Sequence, residues 1–225
     1  MMIDNWDFFE KQFTCPVCGT DKVVVAHGPT KSPVLIVAEQ PGEDELKQGL
    51  PMVGNMGNVL RSELAYLKFD FKSARRTNLW RHPPNNTALY KPGKLPGLND
   101  EATFDGNALS SKQLTKQCLQ NGMEEVIKEA KGRKGILLLG NEVVDLFLNK
   151  SVMKIAGLNV KCDYFSAPVI VCCPNPAMAF HAGHGIGEIR LALTKFVRLL
   201  ESVKDVVVDN GTTSSTTNSS GDPWL

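Results

Sequence analysis

The sequence predicts an α/β fold in which a parallel sheet is covered by helices on both faces. Three observations lead there. Four short apolar or β-branched runs, at 34–37, 74–80, 135–140 and 169–173, alternate with stretches of helical periodicity. Two of them, GILLLG and VIVCC, are apolar almost throughout, as strands buried on both faces are. The first run ends in Ala38-Glu39-Gln40-Pro41-Gly42, a polar pair followed by a Pro-Gly breaker. In open α/β sheets ligands bind just beyond such strand ends, where loops and helix N-termini converge.

The chain has 225 residues and a formal net charge of +1 at pH 7. That length suits one domain, 1–205, long enough for a three-layer core, followed by a tail at 206–225. A near-neutral balance confines any nucleic-acid contact to a local face. No stretch is long and apolar enough to span a membrane, and the amino terminus, MMIDNWDFFE, is acidic, unlike a secretory signal. The expectation is a cytoplasmic monomer of prokaryotic or viral type, with its six cysteines reduced or metal-bound.

Residues 5–13 fit a short amphipathic helix. Cys15-Pro16-Val17-Cys18-Gly19 follows, a knuckle that points two thiolates at one metal. Alone it is ambiguous among zinc, a redox pair and an iron–sulfur cluster. A thioredoxin-like pair is disfavoured, because the motif precedes the first strand instead of opening a helix after it. Residues 58–68 read as a helix with Val59, Leu60, Leu64 and Leu67 on one face. Residues 87–110 are loop-like, rich in Pro, Gly, Asn and Asp, and carry Lys91 and Lys94. Residues 111–131 form a helix with Leu114, Cys118, Leu119, Met123, Val126 and Ile127 along one stripe, 141–148 a short helix, and 187–203 a closing amphipathic helix. Cys172 and Cys173 read as core residues, and so does Cys162. Beyond Asp205 the run GTTSSTTNSSGD cannot bury a core and is expected to be disordered. Its apolar tip, Trp224-Leu225, is either an unstructured end or a dock for a replication or repair partner.

The stretch from 34 to 60 resembles motif A of the family 4 uracil-DNA glycosylases, G-E-x-P-G-x-x-E-x-x-x-G-x-P-F-V-G-x-x-G. Glu39, Pro41, Gly42, Glu45, Gly49, Pro51, Val53, Gly54 and Gly57 match at the right spacing. Ala38 replaces the first glycine and Met52 the phenylalanine. The segment from Thr77-Asn78 to Asn86 resembles T-N-x-x-x-C-R-P-P-x-N, with His82 where the family has its third cluster cysteine and one residue fewer before Pro83-Pro84. Pro174-Asn175-Pro176-Ala177 resembles motif B, H-P-[AS], with asparagine for histidine; N-P-S is the form of the mismatch-specific uracil glycosylases.

This resemblance, covering about residues 10–200, implies a three-layer α/β/α sandwich around a central four-stranded parallel sheet. It implies a base-excision-repair enzyme that flips uracil out of single- or double-stranded DNA and hydrolyses its N-glycosidic bond. Glu39 would orient the water or stabilise the sugar cation. Asn78 would read the uracil edge, and Asn175 would donate to uracil O2. Gln40, Pro41 and Gly42 would line the base through the turn backbone, and Met52 would cover its face. An amide at 175 cannot carry the positive charge of histidine, a loss of about 1–3 kcal/mol in transition-state stabilisation. Glu45 is either a supporting residue or a solvated loop acid. A 4Fe–4S cluster would be held by Cys15, Cys18, His82 and Cys118, with zinc in the same positions as the alternative. His82 could instead face a DNA phosphate, leaving Cys162 as the fourth ligand. DNA contacts are expected from Arg75, Arg76, Arg81 and Lys91. Met178 and Phe180 either fill the gap left by a flipped base or pack in the core. His181 and His184 read as loop or phosphate-contact residues. Two other functions fit the substitutions at 52 and 175: a glycosylase with altered base choice, and a non-catalytic DNA-binding or replisome-accessory homologue.

Overall fold

The computed structural model describes residues 14–84, 111–180 and 185–209. The expected helix at 5–13, the loop with Lys91 and Lys94, the His181 and His184 pair and the tail from 210 onward lie outside the described residues.

Four strands form one sheet: β1 (Val34–Ala38), β2 (Arg75–Asn78), β3 (Gly135–Leu139) and β4 (Val169–Cys173). Their order is β2-β1-β3-β4 and every pairing is parallel. The helices are α1 (Glu43–Gln48), α2 (Asn55–Tyr66), α3 (Ser111–Ala130), α4 (Asn141–Leu148), α5 (Val152–Ile155) and α6 (Ile186–Asp209). Alternation along each strand divides the core into two faces. Leu35, Val37, Ile136, Leu138, Ile170 and Cys172 meet Leu119 and Val126 of α3 and Val143 and Phe147 of α4. Ile36, Leu137, Leu139, Val171 and Cys173 meet Leu60 and Leu64 of α2 and Ile189, Leu193 and Phe196 of α6. The result is the expected α/β sandwich, with helices on both faces of a parallel sheet.

Both outer strands are covered. His27 bridges Arg76 of β2 in antiparallel fashion. Beside β4, the N–H of Gly157 donates to the Cys172 carbonyl and that of Val160 to the Ile170 carbonyl, each at 2.9 Å. Neither edge is left bare to template another chain. Helix α2 starts three residues before the expected position and α6 runs past the expected domain boundary at 205. The predicted strand at 74–80 is shortened to Arg75–Asn78. Leu79 and Trp80 still donate to the Ala38 and Glu39 carbonyls at 2.8 Å, so the chain bends while it follows β1 out of the sheet. Gly57 lets α2 pack against the preceding loop, since a Cβ there would stand 1.9 Å from the Met52 carbonyl oxygen. Among the described residues no helix is long and apolar enough to cross a membrane.

Arg75, expected at DNA, is instead part of the scaffold. It begins β2, at the end of the sheet opposite the strand C-termini, and donates to both carboxylate oxygens of Glu129 at 2.8 and 2.9 Å. Arg133 joins them, reaching Glu129 at 3.2 Å and the carbonyls of Thr30 and Ser32. Arg76 is buried, its guanidinium 4.6 Å from the centre of the Phe71 ring. The hydrogen bond from Arg75 is the main cause holding the Glu129 carboxyl below its usual range, with Arg133 adding to it against the cost of burial. A depressed carboxylate stabilises the fold above its unfolded pKa, near 4.5, and that contribution is lost as pH falls through the lower folded value. Glu129→Gln leaves two guanidiniums without their counter-charge and should cost on the order of 3 kcal/mol at neutral pH. Urea titrations at pH 7 and pH 3 check this: the gap between wild type and variant should narrow at the acid end.

Candidate active site and metal centre

The C-terminal ends of β1, β3 and β4 converge on Glu39, the residue after β1. Its Oε1 accepts the amide N–H of Glu142 at 2.9 Å, and its Oε2 accepts Nδ2 of Asn175 at 2.7 Å. The first donor belongs to the opening turn of α4, where free N–H groups and the helix dipole favour negative charge. The second stands two residues beyond β4. The Asn175 amide is oriented from its other side too, because Oδ1 accepts the N–H of Ala177 at 2.9 Å. Only the amino group of that amide can then face the carboxylate. Gly140 closes the arrangement from β3. It has φ 93°, and a Cβ there would lie 2.3 Å from Glu39 Oε1.

The turn after Glu39 is fixed by Glu45, which is buried and not a solvated loop acid. Its Oε2 accepts the N–H of Gly42 at 3.0 Å and its Oε1 that of Gly54 at 3.1 Å. One carboxylate thus ties both ends of the segment that carries α1. Pro41 is buried inside this loop, while Gln40 and Gly42 are exposed at its surface. Met52 is fully buried in the α2 face of the core with φ 62°, a left-handed backbone that non-glycine residues seldom adopt. Asn78 ends β2, 2 % exposed, and its Nδ2 is buried without a hydrogen-bond partner. Trp80 Nε1 reaches Glu142 Oε2 at 3.2 Å, joining the exit of β2 to α4. Past Asn175, Met178 is half-buried and Phe180 exposed. Sequence reasoning missed Gly140 and the α4 N-terminus. The signal was present as the last glycine of GILLLG, at a strand-to-helix junction.

A second cluster lies on the α3 side. Cys15, Cys18, His82 and Cys118 bring their ligand atoms within 4.8 Å of one another. The Cys15 and Cys118 sulfurs are 3.9 Å apart, and Cys18 Sγ is 3.3 Å from His82 Nε2. The knuckle is closed by Cys15 N–H to the Thr20 carbonyl at 2.7 Å and Gly19 N–H to the Cys15 carbonyl at 3.0 Å. His82 places Nδ1 2.9 Å from the Pro83 carbonyl. Burial pushes the Cys118 thiol up, and the nearby Cys18 and Cys15 push it further. Burial raises Cys18 too, but hydrogen bonds from the Thr20 hydroxyl and backbone and from the other two thiols bring it below its ordinary value. Cys18 is thus the thiol of this pair more easily ionised and Cys118 the less. The four residues have the chemistry and the spacing to bind a metal. Cys162 stands apart, its thiol 3.5 Å from the Phe147 carbonyl, and Cys172 and Cys173 are fully buried in β4.

No curated protein matches this chain. A model of the uracil DNA glycosylase superfamily matches residues 25–201. The match begins after the Cys15–Cys18 knuckle and takes in all four strands, from the one that delivers Glu39 to the one that delivers Asn175. The chain therefore belongs to the uracil-DNA glycosylase superfamily.

Proposed function

We propose that this chain is a DNA glycosylase that excises uracil, with Glu39 as its central catalytic group. The observation that supports this most is the carboxylate held at the meeting of three strand ends by one backbone and one side-chain donor. Cleavage of the bond between N1 and C1′ leaves positive charge on the sugar and negative charge on the base. A fixed carboxylate suits the first task, aligning a water against C1′ and stabilising the cation. Its two donors hold it in place, so little reorganisation remains when the base departs.

Asn78 suits the second task. A buried amide without a partner costs about 1–3 kcal/mol, a cost recovered when a ligand supplies the acceptor. Uracil offers a carbonyl at the position where cytosine carries an amine, so a fixed Nδ2 donor discriminates between them. Asn175 holds Glu39 with one N–H of its amino group, and the other is assigned to uracil O2. The Gln40–Pro41–Gly42 turn, kept in shape by Glu45, and the loop around Met52 would form the walls of the base pocket. Phe180 is the side chain we assign to the gap left by the flipped nucleotide. The metal centre contributes no group to these steps; it ties the N-terminal knuckle to α3 and to the exit of β2.

The test is alkali-revealed cleavage of an end-labelled oligonucleotide with a single uracil. Wild type should leave abasic sites, and Glu39→Ala should be slower by about 10²–10³-fold. Equal rates would remove Glu39 from the mechanism. If folded wild type is inactive on uracil but active on another deaminated base, the altered-specificity reading takes over. If it binds DNA and excises nothing, the accessory reading does.

A further inference from the structure

We infer that the Cys15, Cys18, His82 and Cys118 centre takes a single zinc ion, in place of the four-iron cluster that the likeness to family 4 implies. The distances carry the inference. A tetrahedral ion with Zn–S near 2.3 Å and Zn–N near 2.0–2.1 Å sets its ligand atoms about 3.5–3.8 Å apart. The Cys15–Cys118 and Cys18–His82 separations are 3.9 and 3.3 Å, and no pair in the set exceeds 4.8 Å. In a cubane each protein ligand binds a different iron, so the four stand around a core of four irons and four sulfides. Donor atoms that converge within 4.8 Å of one another leave no room for that core between them.

The donor set agrees. Three thiolates and one imidazole are a standard closed zinc site, whereas cubanes are ordinarily held by four thiolates. The imidazole is also prepared for it. A carbonyl oxygen only accepts, so the 2.9 Å contact to Pro83 puts the proton on Nδ1 and leaves the Nε2 lone pair facing the thiols. His82, Cys15 and Cys118 are 3 %, 4 % and 8 % exposed and Cys18 is half-buried, and four protein ligands fill a tetrahedral shell without a position for substrate or water. That closure fits a structural ion. The inference is independent of the uracil reading, since none of the four residues touches Glu39, Asn78 or Asn175.

Elemental analysis of the full chain, purified anaerobically from cells supplied with both iron and zinc, decides the matter. The expected result is one zinc per chain in a colourless protein. Exchange with cobalt should then give the intense visible bands of a tetrahedral thiolate site. Four irons per chain with the brown colour of thiolate-bound iron would overturn the assignment, and so would protein that binds neither metal. Metal content is read without reference to catalysis, so an inactive protein with one zinc would sink the glycosylase reading and leave this one standing.

Discussion

Gly140→Ala should lower uracil excision at least about 100-fold in a protein that still folds, a displaced group being enough for such a loss. The new Cβ would lie 2.3 Å from Oε1, 2.4 Å from Cδ and 2.8 Å from Cγ of Glu39. All three atoms belong to one side chain, so the side chain moves and the sheet does not. Moving it separates the carboxylate from the Glu142 N–H and the Asn175 amide together, two bonds at 2.9 and 2.7 Å. The backbone at φ 93° and ψ 166° is one that essentially only glycine adopts, and it adds about 1–3 kcal/mol of strain for any residue with a Cβ. Gly132→Ala separates the two effects. Gly132 has φ 72°, and a Cβ added to it would meet nothing within 4 Å, so it carries the backbone penalty alone. Single-turnover rates and thermal midpoints should show both variants melting a few degrees lower, about 2–4 °C per kcal/mol. Only Gly140→Ala should lose activity. Comparable rates for the two would mean that Glu39 works in some other position.

The fold is readable because its strands are short, apolar and evenly separated by helical periodicity. That pattern survives without knowledge of contacts. Helices α1 and α5, of six and four residues, are too short to show a period and leave no such trace. Glu39 is readable from its place at a strand end. Its partners are not, because Asn175 lies 136 residues away and the other donor is a backbone N–H. Glu45 shows the same limit: an acid in a polar loop looks solvated until the two N–H groups it binds are known. Arg75 shows the opposite error. Its charge points to DNA, but Glu129, 54 residues on, neutralises it within the scaffold. The four candidate metal ligands are legible because the CxxC knuckle declares itself and two further residues of ligand type fall at the places the family resemblance implies. The number of ions they would hold is not, because that depends on distances and not on residue types.

Stripping the metal with a chelator should destabilise the protein by at least about 3 kcal/mol, since binding to a structural site is also folding free energy. At roughly 2–4 °C per kcal/mol the midpoint should fall by about 6–12 °C. The knuckle's own hydrogen bonds are local. The ties to the sheet come later in the segment, at Val24 N–H to the Arg81 carbonyl, the His27–Arg76 bridge and the Arg75 guanidinium to the Gly28 carbonyl. Without the ion, weak sulfur contacts at 3.3 and 3.9 Å join the knuckle to His82 and Cys118. Limited proteolysis should therefore open first near residues 14–22, before those ties begin, and Cys118→Ala should reproduce the effect without chelator. The catalytic consequence should be uneven. Glu39 is held by the Glu142 N–H after β3 and the Asn175 amide after β4, neither of which belongs to the centre, so the chemical step should survive in part. Asn78 lies four residues before His82 on the same strand exit, so base recognition should suffer more, seen as a KM that rises further than kcat falls. An unchanged midpoint and protease pattern after complete metal removal would show that the knuckle is held by the chain alone.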